Sequence, residues 1–308
     1  YHMRTLKLVP AKTNITFIKH RNLAVGLSIL LMLASIGVFF AKGLNFGIDF
    51  KGGTLIEASA EDPVDIGALR DRLNAMALGE VQIQEFGKDT DVLIRIAEAE
   101  GAIDASQDLT AVQVVRDELA QDFDIRRVEI VGPQVSAELI QTGILAVVVA
   151  ISSMLIYIWF RFEWQFSVGA VLALVHDVVL TIGIFSLLQL DFNLSILAAI
   201  LTIVGYSMND TVVVYDRVRE NLRKYKKMGL NELLDIAINE TLSRTVMTSV
   251  TTLLALLALY GLGGEVIRGF TFAMIWGVIV GTYSSIFIAS PLLMWLGVKR
   301  DWSGNQVN

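Results

Sequence analysis

Six runs of mostly apolar residues dominate the chain, at about 22–41, 137–159, 166–188, 193–215, 243–262 and 269–296. About 20 such residues are what a helix needs to cross the hydrocarbon core of a bilayer. The whole chain is 54% hydrophobic and 18% charged, against about 45–50% and about 25% in soluble domains. The excess lies inside these blocks, so an α-helical polytopic membrane protein with six spans is expected. The first run is too long and too far along for a signal peptide and is expected to be a retained anchor. Tyr1-His2 before Met3 resemble a cloning scar and are set aside.

Lys and Arg set the orientation. Arg4, Lys7, Lys12, Lys19 and Arg21 precede the first run. Arg217, Arg219, Arg223, Lys224, Lys226 and Lys227 follow the fourth, and Lys299 and Arg300 follow the sixth. Six spans put all three clusters on one side, whereas the opposite loops hold only Arg268 and, in 189–193, none. Residues 1–21, a basic loop over 216–242 and a tail over 297–308 are therefore expected in the cytoplasm, with 42–136 on the far side. Anionic lipid head groups account for the basic loop, although a cytoplasmic partner could also dock there.

Residues 42–136 read as a folded domain. "FGIDFKGGTLIEASA" alternates like a strand, and "EDPVDIGALRDRLNAM" has helical spacing. "EVQIQEFG" and "DVLIRIA" form a hairpin across "GKDT". "DLTAVQVVRDELAQDF" is a second helix and "IRRVEIVGP" a last strand. The order βαββαβ predicts an α+β ferredoxin-like sandwich. Between the second and third runs, "WFRFEWQF" predicts an interfacial aromatic turn with Arg161 and Glu163 facing water.

Asp177, Asp210 and Arg244 lie within the apolar runs. Each costs about 2.5–3.5 kcal/mol at a bilayer centre, so such groups face a bundle interior, pair, or line a wet cavity. Ser207 and Thr211 flank Asp210 on one polar stripe. Arg244, Thr248, Thr251 and Thr252 form another at helical spacing. Asp210 and Arg244 are expected to face each other, either as a fixed ion pair or as a site where the carboxylate takes and releases protons. Arg stays charged, so only Asp210 can titrate. His176 and Asp177, about 100° apart on a helix, need not form one site, and Asp177 is the weaker relay candidate. Gly277, Gly281, Ser284 and Ser285 are read as small residues for close helix packing. The absence of cysteine excludes disulfides and thiolate sites, and three histidines make a histidine-rich metal site unexpected.

"NFGIDFKGGTLIE" carries Asp49, Gly52 and Gly53 and resembles the Asp-Phe-x-Gly-Gly signature of the SecF family. "IVGPQVSAEL", "FRFEW", "HDVVLTIGI", "GYSMNDTVVVYDRVREN" and "SRTVMTSVTTL" are similar to segments of that family in the same order, covering about residues 20 to 300. The resemblance implies an RND-type bundle in the bacterial inner membrane, with 42–136 periplasmic and both termini cytoplasmic. It implies that Asp210 and Arg244 lie on a proton path, and that the chain works with SecD on late steps of preprotein translocation driven by the proton-motive force. SecYEG, YajC, YidC, unfolded preprotein and lipids are the implied partners, with no nucleic acid, cofactor, metal or enzymatic activity. Spans one and two are expected to act as levers on the far-side domain. The alternatives are a proton-driven RND-type exporter subunit for small molecules or lipids, and a passive scaffold of the translocon. An intramembrane aspartyl protease is disfavoured, since its Gly-x-Gly-Asp pattern is absent: "GLGG" leads into Glu265.

Overall fold

The computed structural model describes residue 10 and residues 13–76, 81–96 and 113–298. Arg4, Lys7, Lys12, Lys299, Arg300 and the tail from 299 onward lie outside the described residues, as does the start of the second domain helix.

The chain enters through α1 (Arg21–Lys42), which stops at Gly43 with φ 68°. β1 (Asn45–Phe46), a single-turn helix α2 (Ile48–Lys51) and β2 (Gly53–Ser59) follow. The segment expected as one continuous strand is thus broken. Gly52 and Gly53 sit at φ 76° and 115°, a backbone region in which a side chain is strained. That pair lets the chain turn from α2 into β2.

The rest of the domain is α3 (Ile66–Asn74), β3 (Val81–Phe86), β4 (Lys88–Ile96), α4 (113–119) and β5 (Asp124–Val131). Asp65 caps α3 by accepting from the Ala68 amide at 3.1 Å, which satisfies one of the free amides at a helix start. The sheet is antiparallel in the order β3-β4-β2-β5, the ferredoxin-like arrangement expected from βαββαβ. Alternation drives it. Ile56 and Ala58 of β2, Ile83 of β3, and Val92, Ile94 and Ile96 of β4 point to one face. There they bury against Leu69, Leu73, Val115 and Leu119 of the helices. The other face carries Leu93 and Arg95.

Among the described residues, six helices are long and apolar enough to cross a membrane. After α1 come α5 (Pro133–Arg161), α6 (Trp164–Leu188), a two-residue strand β6 (Asp191–Phe192), α7 (Leu194–Lys224) and α8 (Leu230–Leu262). The sixth span is α9 (Arg268–Ser284), a π-helical turn Ser285–Ala289 and α10 (Ser290–Trp295). The 216–242 connection is mostly helix. α7 runs on to Lys224, α8 starts at Leu230, and the two extensions are tied by Asn221 donating to Glu240 at 2.9 Å. The turn between α5 and α6 exposes Trp159, Phe160, Trp164 and Arg161 as expected, and departs from expectation at two of its aromatics. Phe162 and Phe166 are buried against Tyr215, and Arg161 pairs with Asp216 at 3.1 Å.

α6, α7 and the sixth span form the centre, while α1, α5 and α8 are outer and expose most of their surface. Small residues set the spacing. A Cβ on Gly277 would stand 2.2 Å from Ile203 Cγ1, and one on Gly281 would stand 3.1 Å from Ser207 Cβ. The stripe expected to pack does so, along the seam between α7 and α9.

Candidate functional site

Among the described residues, two buried carboxylates lie inside the bundle. Asp210, on the inward face of α7, is 8% exposed. It accepts from Thr245 Oγ1 of α8 at 2.7 Å and from Ser285 Oγ at the start of the π-turn at 2.6 Å. Asp177, on α6, is 0% exposed. It accepts from Ser207 Oγ of α7 at 2.5 Å and Ser284 Oγ of α9 at 2.8 Å, and its other oxygen meets His176 Nδ1 at 2.9 Å. Adjacent serines of the sixth span therefore serve different carboxylates. The widened i→i+5 turn beginning there is an irregularity that recurs at functional positions in helices.

The expected ion pair is not formed. Arg244 makes no contact within ion-pair distance among the described residues, and its side chain is exposed. The inward face of α8 is instead Thr241, Thr245 and Ser249, one turn apart. The stripe named from the sequence is rotated away from the bundle. Thr248 donates to the Arg244 carbonyl at 3.1 Å on its own helix, and Thr252 is half-buried. A threonine can return its hydroxyl to the preceding turn on any face, so threonine content alone does not say which side of α8 points inward. Thr211 is buried on α7 as expected. Ser207 belongs to the Asp177 site rather than to that of Asp210.

Asp177, the weaker candidate, is the more enclosed group. Its partner His176 stacks on Tyr283, with ring centres 6.1 Å apart. Tyr283 in turn donates to the Ala24 carbonyl of α1 at 2.9 Å. The adjacent pair does form one site, because the imidazole folds back along the helix onto its neighbour. Sequence reasoning does not pick out Thr245, Ser284 and Ser285 as carboxylate ligands. The two serines were visible in the sequence but read as packing residues, since a small hydroxyl serves both purposes.

The signature segment lies at the far-side end of α7. Asp49 Oδ2 accepts from the Leu194 amide at 2.9 Å, beside the Asn193 N-cap. β1 runs parallel to β6, pairing Asn45 with Asp191 and Phe46 with Phe192.

The chain's matches to known proteins fit this architecture. The family description "Protein export membrane protein SecD/SecF, C-terminal" matches residues 111–299, and "SecD/SecF GG Motif" matches 37–64. The protein translocase subunit SecF of Cereibacter sphaeroides is 49% identical, over 96% of this chain and 93% of that one. The Rickettsia bellii protein of the same description is 45% identical, over 96% and 97%. The chain belongs to the SecF family of protein translocase subunits. SecF-family proteins are multi-pass inner-membrane components of the Sec protein-export machinery. SecDF from Thermus thermophilus, a translocon-associated membrane protein, superposes with a TM-score of 0.85 at 37% identity, covering 94% of this chain and 39% of that one. A SecDF structure in a super-membrane-facing form is 38% identical but superposes at 0.68, covering 94% and 40%. The chain spans about two-fifths of the length of those SecDF chains.

Proposed function

We propose that this chain works with SecD to couple the proton-motive force to late steps of preprotein translocation, with Asp210 as the group that gains and loses the proton. Both termini lie in the cytoplasm and 42–136 in the periplasm, where the domain engages the emerging preprotein. SecYEG, with YajC and YidC, is the machinery it serves, and the proton gradient is the energy source.

The observation that carries this reading is the lining of Asp210. A hydroxyl can donate to a carboxylate or accept from a carboxylic acid, whereas a contacting guanidinium would favour the charged form alone. Ser285 also reaches the Thr282 carbonyl at 3.0 Å. Its proton therefore has somewhere to go when Asp210 is protonated and itself becomes the donor. Both states are satisfied without repacking. One charge crossing 100 mV is worth about 2.3 kcal/mol, close to a fiftyfold shift at about 1.4 kcal/mol per decade.

Partnership with SecD draws support from α8. Arg244, Thr248 and Thr251 lie exposed on one side of an apolar helix, and a guanidinium facing lipid is costly. A second bundle bearing a carboxylate opposite Arg244 removes that cost. The test is completion of preprotein translocation into inverted vesicles, with and without a proton gradient, for the parent and Asp210→Asn. The gradient accelerates the parent and not the variant. Equal acceleration of both, with the complex assembled, supports the scaffold instead.

A further inference from the structure

We propose that the turn between α6 and α7, held to the far-side domain through Asp191 and Asp49, is the rigid mechanical link that carries movement of the Asp210 helix into that domain. The inference rests on the proton-coupled reading above and supplies the connection that reading lacks.

Three kinds of contact converge on the turn. The first is ionic. Arg95 of β4, only 8% exposed on the sheet face opposite the domain's own helices, donates to Asp191 Oδ2. Gln84 of β3 donates to the same oxygen at 3.3 Å, and Asn45 of β1 donates to Oδ1 at 3.0 Å. One carboxylate thus ties two strands of the domain sheet and the signature segment to the turn. The Arg95 guanidinium is nearly enclosed, and burial pulls its pKa below the ordinary arginine value. A buried cation needs its partner, so the pair resists separation.

The second contact is backbone. β1 pairs with β6, and the Gly47 amide donates to the Phe192 carbonyl at 2.8 Å. A Cβ at Gly47 would lie 3.3 Å from Asn193 Cβ, so the strands meet at glycine distance. Asp49 then closes on the first amide of α7, where the helix dipole favours a negative charge. The third is aromatic. Phe46 meets Phe50 and Phe192 edge to face, and Phe50 lies tilted against Phe192, with ring centres 5.8–5.9 Å apart.

From this anchor α7 runs unbroken through Asp210 to Lys224. Asp210 lies 17 positions after the Asn193 cap, about 25 Å along the helix at about 1.5 Å per residue. A rotation of α7 where Asp210 titrates is therefore delivered at the turn, inside the domain's own hydrogen bonding. Spans one and two, the levers expected from chain connectivity, also flank the domain, and α5 packs on α7 where Leu197 lies close to Gly143; the turn adds a hydrogen-bonded tie at the start of the Asp210 helix.

The test uses Arg95→Asp, Asp191→Arg and the double swap in the SecD-containing complex. Each single variant is expected to lose at least about fivefold of the gradient-dependent increment, the scale of a coupling free energy of about 1 kcal/mol. Complex yield and gradient-independent translocation should hold, and the swap should restore the increment. An unchanged increment in the singles overturns the proposal, as does failure of the swap to restore it, or an equal fall in gradient-independent translocation. A second measurement needs no gradient and separates failure of the link from failure of the proton-coupled reading. The chain has no cysteine, so spin labels at Asp62→Cys on the domain and Thr202→Cys on α7 report their separation by pulsed electron resonance. One narrow distance is expected in the parent and a broad distribution in Arg95→Gln. Equal widths in both overturn the rigid link.

Discussion

Asp177 and Asp210 are the same functional group in the same bundle, yet their surroundings differ in kind. Asp177 is closed on every side, held by two serines and a histidine from three helices, and its imidazole leads through Tyr283 to α1. Asp210 sits nearer the bundle edge, held by two hydroxyls, one from outer helix α8 and one from a π-turn. The first arrangement fixes four spans relative to one another. The second leaves a carboxylate whose ligands accept either protonation state and whose nearest cation stands off. On the proton-coupled reading proposed above, what sets the working acid apart is a set of ligands that tolerate both of its forms, more than depth of burial.

The largest expected effect is that of Asp210→Asn. It should remove the gradient-dependent part of translocation, a fall of about tenfold or more if at least about 1.4 kcal/mol of drive passes through this group. Thermal stability in detergent should be nearly unchanged, because the amide still meets both hydroxyls. Asp177→Ala should do the reverse. Ser207 Oγ and His176 Nδ1 lose their buried partner at about 1–3 kcal/mol for each group left unpaired, while Ser284 keeps the Gly281 carbonyl at 3.1 Å, so melting should fall sharply, and translocation should fall with and without the gradient alike. If Asp177→Ala instead spares stability and removes only the gradient response, the two sites have been assigned the wrong way round.

Gly277→Leu attacks the seam both sites share. Overpacking of this kind costs about 1–3 kcal/mol, and separation of α7 from α9 should weaken both sites, seen as lower melting together with a reduced gradient response. Ser285→Ala is subtler. Losing one hydroxyl is worth about 1 kcal/mol, and the midpoint of the pH dependence of gradient-driven translocation should move upward, because a donor to the ionised carboxylate is gone. Ser284→Ala should leave that midpoint in place. Thr248→Ala, on the outward stripe, should change melting of the isolated chain by less than about 0.5 kcal/mol.

Much of this architecture is legible in the residues. The six spans follow from apolar length. The βαββαβ domain follows from alternation, since Val92, Ile94 and Ile96 fall on one face and Leu93 and Arg95 on the other. Asp210 announces itself by its cost in an apolar run. The illegible parts depend on contacts distant in sequence. "DFKGG" reads as strand because nothing local reveals that Asp49 caps a helix 145 residues on. Arg244 reads as the partner of Asp210 because opposite charges at plausible heights attract the inference, while the rotation of α8 is fixed by Thr241, Thr245 and Ser249 packing inward. Ser284 and Ser285 have the composition of a packing stripe and act as ligands as well.

The central claim is that Asp210 changes protonation during work while Asp177 holds a fixed set of contacts. Infrared difference spectroscopy on the complex in oriented membranes, with and without an imposed proton gradient, tests it most directly. The account predicts a protonated-carboxyl band that rises and falls with the gradient, is absent from Asp210→Asn and persists in Asp177→Asn. A carboxyl signal that stays constant under the gradient, or a responsive band that survives in Asp210→Asn, would contradict it.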